Sequence, residues 1–195
     1  MILTCFQNAF LEVTGKKEDE NVLLSHIGLP LVTAFSRFEP KIQQELLDAY
    51  YKNNVRLLPT TVTVFDGVMD GLKEVRNLGV RQGLVTSKRS ETALFTLRQF
   101  GMESFFDALV FREDTKIHKP NPKPIFLAIN KIGIRDFSRV LFVVDSVHDL
   151  RCAANAHVDS AAVNWTYMPK NELAAEKPRY WLDRLTDLSC ILTDA

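Results

Sequence analysis

Several side chains in this sequence could together handle a phosphoryl group. Asp145 and Asp149 stand four residues apart in LFVVDSVHD (141–149), where an unbroken apolar run stops at a carboxylate. Carboxylates at the end of a strand can hold Mg2+, which takes oxygen ligands and keeps several waters. Lys119, within HKPNPKP, offers a point charge to phosphate oxygens. Thr86 and Ser87 follow the short apolar stretch GLV and present hydroxyls and backbone N–H groups at a strand-to-helix turn, a setting suited to anions. A cation beside these groups would neutralise charge building up on a transferring phosphoryl group.

Each piece has a plainer reading when taken alone. Thr86 and Ser87 could merely cap a helix. Lys119 could be a solvated loop lysine, and Asp145 and Asp149 a cap and a first-turn acid. What favours a shared site is their order: strand-Thr-Ser, then Lys-Pro, then strand-Asp-x-x-x-Asp, each at a loop following a strand. Lys88 and Arg89 then read as positive potential for the same pocket. His118 reads as an exposed loop residue, and His148 is left outside the site.

The elements that must position these groups are legible from Thr61 onward. Val68, Leu72, Val75 and Leu78 recur at helical spacing, and Gly79 closes the run. The stretch 83–87 reads as a strand, followed by a helix through Leu94, Leu97 and Phe100. Residues 108–111 read as a second strand, 122–132 as a helix closed by Gly133, and 140–144 as a third strand. A helix over 149–156 and a strand over 161–165 complete the series. Continuous apolar strands alternating with helices predict a parallel sheet covered on both faces, with sites at its carboxyl edge. Residues 1–60 show no strand signal. Leu3, Phe6, Phe10 and Val13 mark one amphipathic helix, and Ile42, Leu46, Ala49 and Tyr50 another, opened by Pro40. The expected organisation is a small helical cap over 1–59 and an α/β core over 60–195.

Composition excludes other classes. The 195 residues carry 24 basic and 24 acidic side chains, which argues against a nucleic-acid binder relying on a basic surface. Three cysteines, Cys5, Cys152 and Cys190, are widely spaced and read as reduced thiols of a cytoplasmic protein. No apolar run approaches the roughly 20 residues of a membrane span, and the amino end has no signal-peptide pattern.

The chain resembles the haloacid dehalogenase superfamily of phosphatases. Thr86 corresponds to its second motif, Lys119 to its third, and Asp145 with Asp149 to its fourth. Within that superfamily, HIGLPL (26–31), GLVTSKRSET, HKPNPKPIF, AAVNWTY (161–167) and the carboxyl-terminal KPRYWLDRLTDLSCIL (177–192) are similar to the branch of phosphoglycolate phosphatases and a pyrophosphatase close to them. The resemblance implies a doubly wound, Rossmann-like parallel core with a helical cap. It also implies Mg2+ as cofactor, held by Asp145 and Asp149. The substrate would be a small phosphorylated metabolite or pyrophosphate, contacted by Thr86, Ser87, Lys88 and Lys119, with Thr86 and Lys119 in catalytic roles.

The departures from the family pattern are specific. Family members open with a strand ending Asp-x-Asp-x-Thr, whose first aspartate attacks phosphorus; no such motif occurs in these 195 residues. Val144 stands where the family usually has glycine, and Ala156-His157 replaces a usual Ala-Gly. Two expectations follow. One is an Mg2+-dependent hydrolase that is inactive as this chain and needs a strand from upstream of Met1. The other is a non-catalytic phosphate-binding or interaction protein of the same fold, with Val144 crowding the metal loop. In the family fold the absent strand lies between the strands ending at Thr86 and Asp145. Its loss should leave two unpaired strand edges, an aggregation hazard that a rearrangement or a recruited partner would relieve.

Overall fold

The computed structural model describes residues 1–27 and 31–193. Part of the HIGLPL stretch, residues 28–30, lies outside the described residues. Two compact units divide the chain, Met1–Thr63 and Val64–Ala195.

The first unit is helical in its described elements: α1 (Ile2–Thr14), α2 (Glu20–Ser25), α3 (Leu31–Ala34) and α4 (Pro40–Thr61). Cys5, Phe6, Ala9 and Phe10 recur at the spacing of one helix face, and they bury against Leu46, Ala49 and Tyr50 of α4. The Phe6 ring lies 4.9 Å from that of Tyr50 and 5.6 Å from that of Phe35. α1 stops at Gly15, whose φ of 70° needs the left-handed conformation that glycine adopts freely. α2 is opened by the Asp19 carboxylate, which accepts from the N–H groups of Asn21 and Val22. The sequence put the boundary between the units at 59/60, at a proline. α4 runs through Pro59 to Thr61, and Thr61 Oγ1 donates to the Leu57 carbonyl at 2.7 Å.

The second unit is α/β. Its strands are β1 (Gly83–Val85), β2 (Ala108–Val110), β3 (Leu141–Val144), β4 (Asp159–Val163) and β5 (Tyr180–Leu182). Its helices are α5 (Val68–Asn77), α6 (Ser90–Gln99), α7 (Lys123–Ile132), α8 (Val147–Ala156), α9 (Lys170–Ala175) and α10 (Leu188–Thr193). Every strand pairing is parallel, with Leu84 opposite Leu109, Phe142 opposite Ser160 and Ala161 opposite Tyr180. Alternation along β3 assigns the faces. Leu141 and Val143 join Val75 of α5 and Leu188 of α10, whereas Phe142 joins Ile125 and Ile129 of α7 and Cys152 of α8. The core is thus a doubly wound parallel sheet with helices on both faces.

That sheet is built as two ladders. β1 pairs with β2, β3 with β4 and β4 with β5; among the described residues no ladder joins β1 to β3. Two helices nevertheless hold the ladders in common. On one face, α5 contributes Leu72 to the cluster containing Leu84 and Leu109, and Val75 to the cluster containing Leu141 and Val143. Leu185 packs in both clusters. On the other face, Ala128 and Ile132 of α7 lie against Gly83, while Ile125 and Ile129 pack with Phe142. The carboxyl end of α7 meets the start of each strand: Arg81 donates to the Ile132 carbonyl just before β1, and Ile134 packs with Val140 just before β3. β1 and β3 therefore run in the same direction, and their carboxyl ends share one edge.

Two local features of the second unit have physical causes. β5 went unread because its three residues, YWL, are framed by charges and are too short for a periodic signal. His157 ends α8 in the left-handed region (φ 55°, ψ 42°), its N–H donating to the Ala153 and Ala154 carbonyls. This is the position where glycine avoids a Cβ clash. His157→Gly should therefore raise stability by about 0.5 kcal/mol, since relieved strain exceeds the extra chain entropy of glycine. A urea midpoint shifted upward checks it.

Among the described residues, no helix is long and apolar enough to cross a membrane.

Candidate functional site

The carboxyl edge of β3 delivers Asp145, and the next residue starts α8. Ser146 caps that helix, its hydroxyl oxygen accepting from Asp149 N–H at 3.3 Å and donating to Asp149 Oδ2 at 2.5 Å. Ser-x-x-Asp is a capping-box pattern, so Ser146 could have been read from the sequence. The cap turns Asp149 inward, where it is 8% exposed. Its other oxygen, Oδ1, accepts from Lys119 Nζ in an ion pair whose side chains are only 13% and 11% exposed. A pair this sheltered is held in one geometry.

The loop carrying Lys119 is fixed from α8. Asn155 Nδ2 donates to the Pro120 carbonyl at 3.0 Å, and Cys152 Sγ to the Asn121 carbonyl at 3.1 Å. The loop also closes on itself through Asn121 N–H to the His118 carbonyl at 3.0 Å. Asn121 Oδ1 then accepts from Lys123 N–H at 3.1 Å at the start of α7. Asp145 is tethered through its backbone: Thr166 Oγ1, in the loop after β4, donates to its carbonyl at 2.7 Å. Neither Asn155 nor Thr166 gave a sequence signal, because each acts across the fold on a backbone atom.

Asp145 keeps contact with water, yet protein atoms crowd it on most sides. That crowding leads in raising its pKa, with the Asp149 carboxylate adding to the rise and Lys119 partly offsetting it. Lysine and both aspartates therefore share one neighbourhood. Thr86 lies at the carboxyl end of β1, its N–H donating to the Val110 carbonyl at 3.0 Å and its Oγ1 accepting from Lys88 N–H at 3.2 Å. Crowding lowers the pKa of Lys88. Ser87 is exposed in the same turn. Thr86, Ser87 and Lys88 thus occupy the β1 side of the edge, and Lys119, Asp145 and Asp149 the β3 side. No direct hydrogen bond or ion pair joins the two sides among the described residues.

Val144 does not crowd the Asp145 loop, contrary to the sequence expectation. It is buried with Leu150, Ala162 and Leu173, pointing into the core beneath α8.

Burial pushes the Cys152 pKa up to about 11. A buried thiol keeps its proton at pH values where the unfolded chain has lost it, so its contribution is full below the unfolded pKa and declines as pH rises towards 11. Cys152 alone should cost about 1 kcal/mol of stability between pH 8 and pH 10. Comparing urea midpoints of the parent and Cys152→Ala across that range checks the sign and the size.

Residues 1–163 match the family model for haloacid dehalogenase-like hydrolases. The chain belongs to that family. Curated relatives include a pyrophosphatase PpaX of Bacillus velezensis, 34% identical over 89% of this chain and 78% of its own length. The pyrophosphatase PpaX of Bacillus cereus strain AH820 is 32% identical over 92% of this chain and 81% of its own. A solved haloacid dehalogenase-like hydrolase from Bacteroides fragilis superposes with a TM-score of 0.87, covering 96% of this chain and 90% of its own at 24% identity. A predicted phosphoglycolate phosphatase from Haemophilus somnus gives a TM-score of 0.86 at 19% identity, covering 97% and 89%. At these identities the two structures establish the fold. The haloacid dehalogenase-like hydrolases are enzymes, and the parallel α/β core agrees with the fold of the solved hydrolase.

Proposed function

We propose that this haloacid dehalogenase-like chain carries the phosphate-binding and cation-binding part of an Mg2+-dependent phosphatase acting on a small phosphate ester or pyrophosphate. The observation that carries the reading is the sheltered Lys119–Asp149 pair beside Asp145, all at the carboxyl edge where Thr86 also ends a strand. The pyrophosphatases among the relatives supply the substrate class, and the two-unit organisation is proposed as cap and core.

The donor set fits a hydrated hard cation. Asp145 offers an exposed carboxylate, while both Asp149 oxygens are engaged by Lys119 and Ser146. Among the described residues no three His, Cys, Asp or Glu side chains gather as an enclosing metal cage. Asp145 would hold Mg2+ with waters completing its shell, and Asp149 would supply nearby negative charge as the second carboxylate. Bound there, the cation would neutralise charge on phosphoryl oxygens. Thr86 Oγ1 and the Ser87 turn bind and orient the same oxygens. Lys119, aimed by Asp149, adds positive charge that strengthens as charge develops in the transition state. A site in the cytoplasm, where such metabolites occur, completes the reading.

Attack on phosphorus through an aspartyl-phosphate intermediate, the route the family resemblance implies, requires a carboxylate aligned within about 3–3.5 Å. Asp149 is locked to Lys119 and Ser146, and Asp145 is assigned to the cation. The 195-residue chain should therefore hydrolyse pyrophosphate with Mg2+ no faster than a protein-free control. Extending it at the amino end with an Asp-x-Asp-x-Thr strand should bring turnover, which Asp145→Asn should then largely remove. Turnover by the unextended chain that disappears with Asp145→Asn would overturn the assignment of Asp145.

A further inference from the structure

The loop that follows β4 tethers Asp145, and it is anchored at three points. Trp165 packs on one face of the sheet with Val75, Ala161 and Leu188, its ring 6.4 Å from that of Phe65. Met168 packs on the other face with Val144, Leu150 and Leu173. Between them Thr166 Oγ1 donates to the Asp145 carbonyl at 2.7 Å and accepts from Met168 N–H at 3.0 Å. That hydroxyl closes a tight turn with an N–H two residues on, as serine and threonine commonly do. The residue at the apex of the turn is Tyr167.

Tyr167 is 84% exposed although its neighbours on both sides are packed. Among the described residues no hydrogen bond, ion pair or ring contact engages its side chain. A lone exposed ring is ordinary on a protein surface. This one is held by a pinned turn, one residue from the group that touches Asp145, so it borders the candidate cation site. A tyrosine has few side-chain torsions, and little freedom is lost when a ligand stacks on it.

The surrounding charges decide what fits there. Phosphoryl oxygens are drawn to Lys88 and Lys119, whereas residues 164–169, NWTYMP, carry no charge and offer a second phosphoryl group no cation. What they offer is an aromatic face, which a flat ring meets by offset stacking or edge to face.

We propose that Tyr167 forms an apolar subsite beside Asp145 for the leaving group, and that the site takes a phosphate ester bearing a planar ring. This rests on the phosphatase reading above and narrows its substrate class. The Tyr167 ring contacts the leaving group, and the turn closed by Thr166 fixes how far that ring stands from the cation site.

Phenyl phosphate and methyl phosphate share the phosphoryl group and differ in the ring, so the ratio of their affinities isolates the subsite. Both are titrated with Mg2+ into the full chain at about pH 8, where both esters are fully ionised, and followed by NMR. Phenyl phosphate should bind about fivefold more tightly, the gain expected of one aromatic contact, and its ring protons should shift upfield. Tyr167→Ser should bring the ratio close to one and remove the shift. Tyr167→Phe should keep both, because the ring and not the hydroxyl makes the contact. Neither change should move the urea midpoint, since the side chain is exposed, so a lost ratio reports the subsite and not the fold. A parent ratio near one, or an unchanged ratio in Tyr167→Ser, would overturn the subsite and leave the phosphatase reading standing. If neither ester nor inorganic phosphate binds with Mg2+, the phosphatase reading falls and the subsite with it.

Discussion

Asp149→Ala should lower the stability of the second unit by about 3 kcal/mol, because it leaves the Lys119 ammonium sheltered without its partner. Lys119→Ala should cost a similar amount by stranding the Asp149 carboxylate, whose remaining contact is the Ser146 hydroxyl. Replacing both, as Lys119→Met with Asp149→Leu, should cost less than either single change, since burying two apolar groups avoids an unpaired charge. In a double-mutant cycle built from Lys119→Met and Asp149→Leu singly and together, the pair would then show coupling of about 3 kcal/mol or more, read by urea unfolding. Single changes each within about 0.5 kcal/mol of the parent, and additive, would show that water reaches the pair freely. The functional consequence is that Asp149 sets where Lys119 points, so its loss should weaken phosphate binding even though it need not touch phosphate.

Gly71→Ala should destabilise the chain by about 2 kcal/mol, against the roughly 1 kcal/mol gained from alanine's better helix propensity. A Cβ at Gly71 would lie 2.7 Å from the Leu185 backbone carbon and 2.7 Å from its Cβ. Backbone cannot rotate away, so α5 would have to lift from the turn after β5. That helix roofs both ladders through Leu72 and Val75, and the shift would loosen the alignment of β1 with β3. Gly71→Val should act in the same direction more strongly. An alanine variant as stable as the parent would mean that α5 can slide without cost.

Much of this arrangement was legible because burial in a two-faced sheet demands continuous apolar strands, and GLV, ALV and LFVV stand out against amphipathic helices. The placement of Thr86, Lys119 and Asp145 after successive strands was readable for the same reason. The clamp on them was less so. Ser146 could have been read from its spacing to Asp149 but went unread, and Thr166 and Asn155 act on backbone carbonyls 21 and 35 residues away. Nothing in a hydroxyl or an amide in a sequence says which remote carbonyl it will meet. Val144 was misread because its side chain's direction depends on strand alternation: Leu141 and Val143 face α5, so Val144 must face α8. β5 was missed because three residues between charges carry no period.

The most direct test of the phosphatase reading is calorimetric titration of magnesium pyrophosphate into the chain, compared with Asp145→Asn, Thr86→Val and a distant control, Asp159→Asn. The account predicts one saturable site that requires Mg2+, weakened by about tenfold or more in each of the first two variants and unchanged in the control. Affinity that is independent of Mg2+, or that survives both Asp145→Asn and Thr86→Val, would contradict it.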